Sequence, residues 1–221
     1  MAAARSLPGF LLFALLLACA PVLAQQVPSN EPDSTVWENY YPLALGNAWA
    51  YRVMIPATGK TSQIRWEVTS AKKDSSGRSV FQVVPAPLEP EDVRMEIRLS
   101  KSGVQEITDG TWVLKFPLHA GSKWSSFQYN ERRKGMVSRS FRVVSAGRPC
   151  ESAGRSYMDC IVLEEQNEEL QWRVETLYAR GTGPVKYTYW PLHSPDPAAK
   201  PVRVVELISF QVLPQQSIRQ R

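Results

Sequence analysis

Cysteine and histidine are scarce: the chain has three of the first and two of the second in 221 residues. Metal centres are built from clustered Cys, His and carboxylates, and activated nucleophiles usually lean on a nearby base. The scarcity therefore removes the raw material for most metal and nucleophile schemes. Apart from the N-terminus, no window carries a 3.6-residue apolar stripe with caps at both ends, so helices are not expected. The overall composition excludes collagen, wholesale disorder and a polytopic membrane protein. What is present is 43% apolar and 21% charged residues with 17 Pro and 12 Gly, enough for one ordinary domain or two small ones.

The N-terminus is the one long apolar run. Arg5 precedes LPGFLLFALLLACAPVLA, a charged start, an apolar stretch and a small-residue end, which reads as a secretory signal over 1–24. Two processing sites compete. Val22-Leu23-Ala24 before Gln25 fits simple cleavage, whereas Leu16-Leu17-Ala18-Cys19 resembles a lipobox in which Cys19 would be lipidated. Either product is exported to the periplasm or cell surface, and the mature chain has no transmembrane span. Residues 25–40, rich in Pro, Ser and Asn near their start, read as a flexible leader, and 213–221 as a tail. In an oxidising compartment the two remaining cysteines, Cys150 and Cys160, are expected to form a disulfide.

Alternation of apolar and polar residues predicts half-buried strands. Ile64, Trp66 and Val68 alternate with Arg65, Glu67 and Thr69, and Met95, Ile97 and Leu99 with Glu96 and Arg98. Leu170, Trp172 and Val174 alternate with Gln171, Arg173 and Glu175. Turn signals separate such segments, so the expected fold is all-β: an antiparallel curved sheet or (half-)barrel, with a sandwich as the other arrangement. YPLALGNAWAY at 41–51 is echoed by FPLHAGSKWSS at 116–126, and WEVTSA at 66–71 by FRVVSA at 141–146. Gly77-Arg78-Ser79 is echoed by Gly154-Arg155-Ser156. The echoes are collinear, which predicts one β domain over 41–212 made of two related multi-strand units, about 41–108 and 116–189, with a closing strand at 202–212. In both openings the Gly is read as permitting a tight turn, and Trp49 and Trp124 as core plugs, with a ligand groove lined by the two as the alternative.

The openings [YF]-P-L-x-x-G-x-x-W, together with YARGTGPVKY at 178–187, resemble a group of uncharacterised bacterial cell-envelope proteins with YPLxxGNxWxY and YAxGxGxVK segments. The resemblance implies compartment and fold and carries no activity, cofactor or catalytic residue. Periplasmic lipoprotein carriers, whose curved sheet holds acyl chains, offer a looser analogy of fold.

No reaction can be assembled from named residues. His193, Ser194 and Asp196 are neighbours in a Pro-rich loop, not the distant segments from which a triad is built. Gly181-Thr182-Gly183 lacks the third glycine of a dinucleotide fingerprint and reads as a hairpin turn. Glu164, Glu165, Glu168 and Glu169 are placed around a turn, where carboxylates are solvated. From Arg132 to Arg155, seven basic residues (Arg132, Arg133, Lys134, Arg139, Arg142, Arg148, Arg155) face Glu151 alone. Arg132, Arg133, Lys134, Arg139 and Arg142 form a candidate patch for an anionic envelope polymer, a lipid head group or an envelope protein; nucleic acid is not expected in that compartment. The seven tryptophans are read as filling a small β core, with an apolar ligand cavity as the alternative. No cofactor or metal is expected. The function expected is a non-catalytic binding or structural module, with a carrier of a lipid or lipoprotein acyl chain as the alternative and a hydrolase third.

Overall fold

A strand with one apolar and one polar face must bury the first against something, and a run of such strands does so by curling. The computed structural model describes residues 39–86, 94–108, 110–130, 134–193 and 199–213. The signal at 1–24 with Cys19, the leader up to 38 with Trp37, Arg132, Arg133, Ser194, Asp196 and the tail from 214 lie outside the described residues. The described chain forms twelve strands. They are β1 (Ala48–Ile55), β2 (Lys60–Lys73), β3 (Ser79–Pro85), β4 (Met95–Ser100), β5 (Gly103–Glu106), β6 (Trp112–Lys115), β7 (Lys123–Asn130), β8 (Gly135–Ser152), β9 (Arg155–Asn167), β10 (Trp172–Ala179), β11 (Gly183–Pro191) and β12 (Arg203–Gln211).

All belong to one antiparallel sheet in the order β6-β5-β4-β3-β2-β1-β12-β11-β10-β9-β8-β7. The first and last strands pair at its middle, from Ala48 opposite Gln211 to Met54 opposite Val204. The consecutive strands β6 and β7 therefore take the two edges. These edges meet without a ladder: the Trp112 N–H donates to Ser126 Oγ and Trp124 Nε1–H donates to the Trp112 carbonyl, both at 2.9 Å. The sheet is thus a nearly closed barrel with one narrow seam.

The strands enter this sheet in a recurring way. The Gly46 N–H donates to the Val68 carbonyl and the Val68 N–H to the Asn47 carbonyl, each at 2.9 Å. The Gly121 N–H likewise donates to Val143 (2.8 Å) and Val143 to Ser122 (2.9 Å), in each case 75 positions later. A β-bulge follows at Val68–Ser70 and again at Val143–Ser145. Gly46 and Gly121 hold φ of 86° and 91°, a left-handed turn that a side chain would strain. Trp49 and Trp124 then start β1 and β7 as buried plugs, and Trp124 stacks on Phe141 with ring centroids 5.3 Å apart.

One end of the barrel is sealed. The segment before β1 buries Tyr40 and Leu43 there. The Tyr40 hydroxyl donates to Asp159 at 2.6 Å, and Asn47 bridges the Pro42 carbonyl (2.7 Å) and the Leu213 N–H (2.8 Å). Trp49 Nε1–H donates to the Thr182 carbonyl in the β10–β11 turn at 2.6 Å. Near this end the Cys150–Cys160 disulfide joins β8 to β9 across a Cα separation of 6.0 Å. The turns β1–β2, β5–β6, β7–β8, β9–β10 and β11–β12 lie at the other end.

Candidate functional site

About eight strands make a barrel that side chains just fill, and more strands leave space. Here the interior holds a cavity of about 780 Å³, within the roughly 300–1,000 Å³ typical of small-molecule sites. Its floor, at the sealed end, is made by the aromatic Trp49, Tyr51 and Tyr178 together with Pro184. The wall from β1 to β4 is almost wholly apolar, with Val53, Ile64, Trp66, Val83, Met95 and Ile97. At the opposite end Ser62, Ile64 and Val202 belong to the lining and are exposed, Ile64 by 38% and Val202 by 48%. The cavity opens to solvent there.

The wall from β8 to β12 is mixed. Phe141, Leu163, Val174 and Val205 share it with a polar strip close to the mouth. Strand register explains the strip: Glu165 sits opposite Val174, Val174 opposite Tyr189, and Tyr189 opposite Arg203. Arg139 joins from β8, its Nε 2.7 Å from Glu165 Oε1 and its Nη1 donating to Thr111 Oγ1 at 3.2 Å. The Arg203 guanidinium lies 3.9 Å from the Tyr189 ring centroid. Trp172 packs edge-on to Tyr189 at 6.2 Å, with Arg139 5.9 Å from the Trp172 ring. Deeper down, Tyr41 meets Tyr178 and Tyr51 meets Tyr187 at 6.2 and 6.0 Å. Burial pushes all four hydroxyls well above the usual phenol range. They stay neutral and offer hydrogen bonds without charge, as Tyr51 does to the Pro184 carbonyl at 2.9 Å.

The reading of the aromatics as core filling needs correction. Trp49 is a plug, as expected, but Trp49, Trp66 and Trp172 also line an open space. The turn around the acidic cluster is also displaced. β9 runs on to Asn167, so Glu164 and Glu165 are strand residues on opposite faces and only Glu168 and Glu169 reach the turn. Glu165 points into the cavity, and Glu164 meets Arg142 at 3.0 Å outside it.

Of the basic residues, Lys134 lies in the β7–β8 turn and Arg139 and Arg142 lie on β8. Three residues apart on a strand, Arg139 faces the cavity and Arg142 the exterior, so the structure does not bring them into one patch. Neither histidine lines the cavity: His119 bonds Ser122, and His193 Nε2 lies 3.1 Å from Glu168 Oε2 at the surface. Among the described residues no three of His, Cys, Asp and Glu gather so as to hold a metal ion. Composition and motifs do not mark Arg139, Glu165 and Arg203 as lining residues. The signal that finds them is parity, since Arg139 shares the register of Phe141 and Val143, and Glu165 that of Ile161 and Leu163.

The chain matches no family model and no curated protein. Among solved structures it is similar to a protein of Bacteroides fragilis NCTC 9343 provisionally named an exported protein with a YmcC-like fold. That similarity has 11% identity and a TM-score of 0.48 over 77% of this chain and 98% of the other. It is also similar to a provisionally named lipoprotein of Parabacteroides distasonis ATCC 8503, at 10% identity and a TM-score of 0.45, over 78% of this chain and 98% of the other.

Proposed function

We propose that the protein is an exported, non-catalytic binding protein of the bacterial envelope whose barrel interior encloses an apolar or amphiphilic ligand, in the manner of a carrier. The observation that carries this is the cavity of about 780 Å³, with an apolar wall, an aromatic floor and an open mouth. Export is supported by the N-terminal signal pattern and by a disulfide, which oxidising compartments sustain. The resemblance to cell-envelope proteins in the YPLxxGNxWxY and YAxGxGxVK segments points the same way.

Native mass spectrometry of protein purified from its host is expected to find a co-purifying lipid. The lipid-free protein is expected to raise the fluorescence of N-phenyl-1-naphthylamine, an uncharged apolar probe. A protein with neither bound lipid nor probe binding would defeat the reading. Mass spectrometry of the mature N-terminus separates acylated Cys19 from free Gln25.

A second reading, docking on anionic lipid head groups, is favoured by the outer face of the β7–β8 hairpin. Phe127, Tyr129 and Met136 are exposed there by 62%, 54% and 62%, with Tyr129 opposite Met136. Lys134 is close in the turn, and Arg132 and Arg133 precede it in sequence. Charge reversal of Arg132, Arg133 and Lys134 should then weaken binding to phosphatidylglycerol vesicles, and unchanged binding would remove this reading.

A further inference from the structure

The polar strip at the mouth is unevenly matched. Among the described residues four charged side chains line the cavity: Glu106, Arg139, Glu165 and Arg203. Arg139 and Glu165 neutralise each other at 2.7 Å. Glu106 belongs to β5, five strands from β12 in the sheet order, and so faces Arg203 from elsewhere on the wall. Arg203 stands differently. Its guanidinium is 3.9 Å from the Tyr189 ring centroid, and among the described residues no carboxylate is ion-paired with it. The guanidinium also hydrogen-bonds the Tyr189 hydroxyl, but an arginine has more N–H donors than that one contact uses, and the remaining ones match the oxygens of a carboxylate or phosphate.

Position adds direction. Arg203 begins β12 at the open end, and beneath it the lining passes through Val205 and Leu163 to the Trp49 and Tyr178 floor. A long apolar group reaching that floor leaves its polar end level with Tyr189 and Arg203. We infer that the cavity takes a single-chain amphiphile, tail toward the floor and anionic head, carboxylate or phosphate, on Arg203. This rests on the reading of the barrel interior as the ligand site.

The test uses the mature protein, stripped of lipid, with N-phenyl-1-naphthylamine bound and then displaced by four competitors that share a sixteen-carbon chain. These are hexadecanol, palmitate, a palmitoyl lysophosphatidate and hexadecyltrimethylammonium. At least one anion should displace the probe at about tenfold lower concentration than hexadecanol, about 1.4 kcal/mol, with the cation poorest. Whichever anion leads identifies the head as carboxylate or phosphate. Arg203→Gln should bring the anions level with hexadecanol, while Arg203→Lys keeps part of the preference. Arg173→Gln, which alters a guanidinium stacked on Trp190 outside the cavity, should leave the preference unchanged. Hexadecanol matching both anions, or a preference that survives in Arg203→Gln, would overturn the assignment while leaving the cavity reading intact. Failure of the wild type to bind the probe would instead overturn the cavity reading, and this one with it.

Discussion

Glu206 on β12 is shared by two cations on the outer face, Arg52 Nη2 at 3.0 Å and Lys186 Nζ at 3.3 Å. Burial pulls its pKa upward, but the bonds to Arg52 and Lys186 outweigh this and hold the carboxyl below its usual range. The folded state therefore favours the ionised form. The resulting stability is complete above the unfolded pKa of about 4.3 and is lost as pH falls through the lower folded value. Glu175 has the opposite sign. Burial raises its pKa first, against the pull of Arg173 and with the help of Glu164, which is its cross-strand partner on β9. Its folded form favours protonation, so stability is lost as pH rises from the unfolded pKa of about 4.3 toward the higher folded value. Glu206→Gln should lower the urea midpoint at pH 7, reflecting a loss of up to about 1 kcal/mol for a pair whose arginine is half exposed, and converge on wild type in acid. Glu175→Gln should raise the midpoint at pH 7 and lose that gain below about pH 4. Urea titrations from pH 3 to 8 read both; parallel curves for the two variants would contradict this account.

At the scale of elements, the narrowest tolerances lie where β5 meets β6. Gly103 has φ +137°, and a Cβ built on it would stand 2.0 Å from the backbone oxygen of Leu114. Backbone cannot swing aside as a side chain can, so Gly103→Ala should open the β5–β6 pairing and lower thermal stability by roughly 3 kcal/mol or more. Gly59→Ala, with φ +66° and open space around it, should cost only about 1 kcal/mol from the left-handed backbone. Comparable losses for the two would argue against a steric cause. The disulfide acts at the other edge of the sheet. Cys150 and Cys160 close a short loop at a bulged stretch of β8, so their replacement by Ser should cost up to about 3 kcal/mol. Urea unfolding with and without dithiothreitol should show that loss in the wild type and no sensitivity in the double variant. Alternation revealed these strands well, but not the length of β9. The acidic run suggested a turn, whereas Glu164 and Glu165 are held in the ladder beside Arg142 and Arg139 of β8. Partners more than twenty positions away decide that, and local polarity carries no trace of them. The actual turn is marked by Asn167, whose side chain accepts the Leu170 N–H at 2.8 Å, and by Gln171 at φ 55°.

The whole molecule poses a different question, why an interior that reads as a filled core is hollow. Period-2 patterning tells which face of each strand turns inward; it does not tell how far away the opposite wall stands. That distance follows from the number of strands in the ring, and twelve in one sheet set the walls farther apart than side chains span. The charged residues that the inward register carries, Arg139, Glu165 and Arg203 among them, then meet a space instead of a packed core, which is how they can be accommodated near the mouth. A hollow apolar space of fixed depth makes a quantitative demand on its ligands. Each methylene buried contributes about 0.8 kcal/mol, or close to fourfold in affinity. Across straight-chain alcohols, affinity should therefore climb by about that factor per carbon and then level off once the chain outgrows the floor set by Trp49 and Tyr178. Leu163→Phe, which adds volume below the polar strip on the mixed wall, should move the plateau to shorter chains without changing the slope before it. Isothermal titration of the series on both proteins would read slope and plateau together. A slope near zero would mean that the chains bind outside the barrel, and a plateau unmoved by Leu163→Phe would mean that they do not pass Leu163 on their way down.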